Sequence, residues 1–128
     1  MTVPPNAPAF NVGRTVNLIK RAARDRRFIT YGDIADAYGA DFRKIRSTLF
    51  VHLDAVVKEA RARGIPLVTA IVVDQANRQT GDFDVSALSG FIKAARAAGY
   101  SVTDGHRFLR EQQQSCFTWG AETSENAI

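Results

Sequence analysis

One apolar stripe constrains the fold of this chain more than any other feature. Phe42, Ile45, Leu49, Leu53, Val56 and Ala60 recur at helical spacing, so residues 41–64 read as one long helix with a single buried face. Asp41 stands where an N-cap belongs. Gly64 supplies the stop, and Pro66 prevents the helix from resuming. The next run, "PLVTAIVV" (66–73), changes period at once. It is short and β-branched, so it reads as a strand buried on at least one face.

Two helices precede the long one. Residues 13–28, "GRTVNLIKRAARDRRF", place Val16, Ile19, Ala22 and Ala23 on one face, flanked by Lys20, Arg21, Arg24 and Arg27. Residues 29–39, "ITYGDIADAYG", then read as a short capped helix. Thr30 and Asp33 sit in the capping-box pattern, with Asp in place of the usual Glu. Tyr31, Ile34, Ala35 and Tyr38 form a buried stripe, and Gly39 fits a left-handed stop. After the apolar strand, "DQANRQTGDF" is a polar loop with Gly81 as its turn residue and room for a second strand around Phe83. A helix over 86–98 follows, with Leu88, Phe91, Ile92 and Ala95 inward. A last helix, capped by Thr103 or Asp104, carries Phe108, Leu109, Gln112 and Cys116 on one face, with Trp119 just beyond.

At 128 residues the chain is the size of one ordinary domain. The order predicts an α+β fold, mostly α: a winged helix-turn-helix with a long third helix, a short β-wing and two C-terminal helices. Residues 1–12 read as an extended, proline-stiffened arm, 13–119 as the domain and 120–128 as a flexible tail. No apolar run is long enough to span a membrane, and the N-terminus lacks the pattern of a secretory signal. The single cysteine, Cys116, suits a reducing compartment, so the expected location is cytoplasmic.

Charge is unevenly placed. From Arg14 to Arg46 there are nine Lys/Arg and four Asp, a net of +5, against a total of +4 for the chain. The positive charge therefore lies in the N-terminal third, which suggests a side that faces a polyanion. Arg43, Lys44, Ser47 and Thr48 lie opposite the apolar stripe at the start of the long helix, with Arg46 at the edge. Arg suits guanine edges, whereas Lys, Ser and Thr suit phosphates. Arg24 and Arg27 add to this basic face, and Gln75, Asn77, Arg78 and Gln79 form the wing candidates. Val51 falls on the same outer face, and an exposed apolar side chain there fits a protein partner equally well.

The motif "TYGDIADAYG" resembles the start of the DNA-binding half of O6-alkylguanine-DNA alkyltransferases and alkyltransferase-like proteins. There a Tyr-Gly-(Asp/Glu)-(Ile/Leu)-Ala segment leads into a basic recognition helix. "GIPLVTAIVVDQANRQTGDF" (64–83) is similar in rhythm to the later part of that half. The resemblance covers roughly residues 28–83 and implies a winged-helix scaffold with DNA binding. By the same likeness, Tyr31 matches a tyrosine that contacts a target phosphate, although it also belongs to the buried stripe. The reactive Pro-Cys-His-Arg motif is missing, because "VTAIVV" stands in its place, and the stretch "VHLDAVVKEARARG" lengthens the long helix. The resemblance therefore implies no alkyl transfer. The whole chain is also similar to a group of small bacterial proteins that share this order of motifs.

No catalytic set converges in the sequence. His52 and His106 with one distant cysteine do not have zinc-ligand spacing. His106 and Cys116 are ten residues apart on one helix, about 15 Å along its axis, too far for a nucleophile–base pair. The expectation is thus a non-enzymatic DNA-binding protein that takes no cofactor and no metal. The alternative is a protein-interaction module: a small inhibitor, adaptor or subunit, with a phage- or defence-associated role among those that fit. Residues 86–119 offer a surface for a homodimer, with the oligomeric state left open.

Overall fold

A computed structural model describes residues 8–123, so most of the expected arm and the end of the tail lie outside the described residues. The element order is α1 (Val12–Arg24), β1 (Ile29–Thr30), α2 (Tyr31–Ala37), α3 (Phe42–Arg63), β2 (Val72–Val73), α4 (Val85–Ala97) and α5 (Gly105–Thr123). The fold is mostly helical with one small sheet, in which β1 and β2 pair in parallel, Ile29 beside Val72 and Thr30 beside Val73.

Local side-chain chemistry sets most helix ends. Asn11 accepts from the Arg14 amide and starts α1. Thr30 and Asp33 close a reciprocal capping box on α2, at 3.0 and 3.1 Å. Asp41 caps α3 and Asp84 caps α4. For α5 it is Asp104, not Thr103, that accepts from the Arg107 amide. The long apolar stripe is inward as expected, with Ile45, Leu49, Leu53, Val56 and Ala60 all buried.

Several expectations need correction. The first helix ends at Arg24 instead of running to 28. Arg26 turns left-handed (φ 54°), the Arg26 and Arg27 amides bond back to Ala23 and Ala22, and Phe28 swings inward toward Phe117. "PLVTAIVV" is not one strand: Val68–Ile71 form a 3-10 turn, and only Val72–Val73 are extended. No strand forms around Phe83, so no β-hairpin wing exists among the described residues. The 74–84 loop instead carries a second 3-10 turn at Gln75–Asn77. The last helix runs beyond Trp119 to Thr123, so residues 120–123 are not a loose tail. Gly120 lies where α5 crosses α1. A Cβ there would sit 2.7 Å from the Ala23 and Arg24 backbone, so the crossing requires glycine.

Residues 67–73 of the irregular 65–83 segment are buried, and buried peptide groups need partners. α5 provides them. Gln112 accepts from the Leu67 amide at 2.9 Å. Gln113, only 4% exposed, donates to the carbonyls of Ala70 (3.0 Å) and Gly81 (2.8 Å). Arg110 in turn donates to the Gln113 side-chain oxygen and pairs with Asp82. Replacing Gln113 by Leu should leave two carbonyls unpaired and destabilise the domain by about 2–4 kcal/mol. Urea denaturation of the wild type and the variant checks this.

Candidate nucleic-acid interface

α2 and α3 are joined by Tyr38–Asp41, a four-residue turn with Gly39 left-handed (φ 72°). Gly39 thus lets the chain reverse between two helices that pack on each other. α1 packs against α3 behind this pair and is stitched to it by a polar chain. His52 Nε2 shares a 2.6 Å hydrogen bond with Thr15 Oγ1, and Thr15 Oγ1 shares one of 2.7 Å with the Tyr38 hydroxyl. That hydroxyl donates to the Asn11 carbonyl at 3.0 Å. With Tyr38 giving its proton to Asn11, Thr15 must donate to Tyr38 and His52 Nε2–H to Thr15. Phe10 stacks on the His52 ring at 4.6 Å, which ties the end of the N-terminal segment to α3.

The outer side of α3 carries the expected cationic residues. Arg43, Lys44, Arg46 and Ser47 are exposed and Thr48 is half-buried. Arg43 makes only an exposed pair with Asp41 at 3.4 Å, and such pairs add little. The Arg46 guanidinium lies over the Phe42 and Phe50 rings, at 5.5 and 5.3 Å, which holds it at the edge. Helical geometry breaks at Ile45 (φ −119°, ψ 19°), so the first turn, with Arg43 and Lys44, is set off from the rest of α3. Val51 is 58% exposed.

The remaining candidates are placed elsewhere. Arg24 and Arg27 are exposed at the end of α1, beside the Gly120 crossing with α5, and Arg27 pairs with Asp25 at 3.7 Å. Nearby, Arg26 lies over Phe117 and Lys20 over Trp119. Arg78 is not a free wing residue. Its guanidinium is half-buried and bonds both Asp33 oxygens at 2.9 Å and Gln75 at 3.2 Å, so it clamps the loop to α2. Burial pushes the Asp33 carboxyl up, but the Thr30 amide and Arg78 outweigh it and hold the carboxyl below the usual carboxylate value. Tyr31 is likewise structural. It stacks with Phe42 and meets Phe50 edge-on. Its hydroxyl is pushed up to about 12 by burial first and then by Asp74 and Asp84, against Arg46.

Sequence reasoning missed one feature. A cleft of about 540 Å³ lies between α3 and α4, with Thr69 and Val72 also lining it. Its apolar lining includes Phe50, Leu53, Val57, Phe83 and Phe91, and Lys58 and Lys93 stand among its polar residues. Only the small-residue spacing of α4 (Ala87, Gly90, Ala94, Ala97) hints at it in the sequence. Elsewhere, burial pushes the Cys116 thiol up to about 12, while His106 is exposed, so the two do not form a reactive pair. No group of three metal-ligating residues occurs among the described residues, and no helix there is long and apolar enough to cross a membrane.

No protein-family model, curated protein or solved structure matches this chain.

Burial holds the His52 pKa below its ordinary value, so the neutral ring is the form the fold favours. Stability from this site is fully present above the unfolded value of about 6.5 and is lost as pH falls from there through the folded pKa. Thermal melts should thus be flat from pH 8 to 7 and fall below 6.5. A His52→Gln variant should lose that slope. Asp33, with its depressed pKa, adds a separate loss only below about pH 4.

Proposed function

We propose that this chain is a non-catalytic DNA-binding domain of winged-helix descent, with the start of α3 as its reading element. The observation that carries this reading is the Gly39 turn, which sets the exposed, offset first turn of α3 with Arg43 and Lys44 at the surface. Residues near the N-terminus of a second helix are the ones that meet base edges in such modules. The concentration of positive charge between Arg14 and Arg46 supports it further. Ser47 and Thr48, one turn on, are suited to phosphate contacts. Arg24 and Arg27 would meet backbone beyond the groove. In place of a β-wing, the clamped 74–84 loop offers Gln79, which is exposed.

The second reading, a protein-interaction module, rests on Val51 and on Val85, which is 86% exposed. Two separated apolar side chains are a smaller signal than the charged first turn of α3.

Fluorescence anisotropy with random duplex DNA tests the choice. Binding should fall by at least about tenfold between 50 and 200 mM salt, since each phosphate contact releases counterion. Arg43→Ala with Lys44→Ala should weaken binding about tenfold or more while the melting temperature stays put, because neither side chain is buried. No binding at 50 mM salt would sink the DNA reading in favour of the protein partner. Unchanged affinity in the double variant would remove α3 as the contact.

A further inference from the structure

We propose that the cleft between α3 and α4 binds a small amphiphile: an apolar chain that ends in a single carboxylate. The site is separate from the proposed DNA-facing turn and does not depend on it. Its volume, about 540 Å³, suits a small ligand. The body of the cleft is apolar, formed by Phe50, Leu53, Val57, Val72 and Phe91. The α4 wall is thin, since Gly90 and Ala94 leave the space against it open, and a Cβ on Gly90 would meet nothing within 4 Å.

Two further observations point to an occupant and to its polarity. Thr69 lies in the lining and is 8% exposed, yet its buried hydroxyl has no hydrogen-bond partner. Such a group is destabilising unless a partner reaches it. Charge is also arranged along the length. α3 and α4 run side by side in the same direction: Arg46 and Asp84 lie at one end, and Arg61 covers the Tyr100 ring just past the end of α4. Asp74 and Asp84 gather at the Tyr31 end, where both act on the Tyr31 hydroxyl. Lys58, about 18 Å along α3 from Arg46, and Lys93, about 13 Å along α4 from Asp84, line the cleft from its two helices, and neither makes an ion pair among the described residues. Asp54, one turn before Lys58, is not paired with it. The Tyr31 end thus carries Asp74 and Asp84 against Arg46, and the far end Lys58 and Lys93 against Asp54, so the charge balance favours an anionic head at the lysine end. The chain then lies toward Phe50 and Tyr31, in one orientation.

Isothermal titration of the full chain with decanoate, decan-1-ol and decylamine, all below micelle formation, tests this. Decanoate should bind saturably at one site. Decan-1-ol should bind at least about tenfold more weakly, for want of the charge-assisted contacts, and decylamine no better than the alcohol. Lys58→Gln with Lys93→Gln should bring decanoate down to the level of the alcohol. Gly90→Phe should abolish binding of both while keeping the melt, since the backbone is helical there and phenylalanine has the better helix propensity. Arg43→Ala with Lys44→Ala should leave decanoate binding unchanged. The proposal is overturned by absence of saturable decanoate binding, by decanoate binding that survives Gly90→Phe, or by decylamine matching decanoate.

Discussion

The hydrogen bonds from Gln113 to the carbonyls of Ala70 and Gly81 are the constraint on which the rest depends. They join residues more than thirty positions apart and satisfy carbonyls of a non-repetitive stretch that its short strand leaves unpaired. That stretch lines the cleft through Thr69, forms β2 and so anchors β1. It also carries Arg78, which holds the start of α2 through Asp33. Since α2 sets the turn into α3, the placement of Arg43 and Lys44 traces back to a glutamine on the last helix. Arg110, bonded to Gln113 and paired with Asp82, fixes the rotamer of that glutamine.

α3 then serves four environments at once. Ile45, Leu49 and Val56 fill the core, His52 and Thr15 weld it to α1, and its basic first turn stands free. Its remaining side, with Phe50, Leu53 and Lys58, walls the cleft. A helix of 22 residues has the length to separate these roles along its axis as well as around it. The turns beyond Val51 make room for the cleft without disturbing the start of the helix.

Two helix starts were legible in the sequence because a nearby side chain makes them: Thr30 with Asp33, and Asp41, act within three residues, so spacing alone reveals them. Asn11 and Asp84 act in the same way but were not read, and their helices begin one residue before the expected 13 and 86. The inward stripe of α3 was legible from spacing too, and with it the exposure of Arg43, Lys44 and Ser47. The path of 66–73 was not. β-branched residues report burial, but whether a partner strand is present depends on Ile29 and Thr30, two residues that follow a basic turn and carry no strand pattern of their own. Arg78 looked like a free cation because its acid partner is 45 positions away. The cleft was hidden because its walls come from segments that meet only in three dimensions.

The sheet is as short as a sheet can be, two residues facing two. Both strands are buried along their whole length, and they run in parallel between helices. An exposed strand edge is the usual template on which a neighbouring chain adds a strand of its own. Here that template is too brief to guide such an addition. Whatever this protein meets, the described residues must meet it with side chains on helices and loops. Recognition is thus set by individual residues that mutation can change one at a time, and not by a shared backbone ladder.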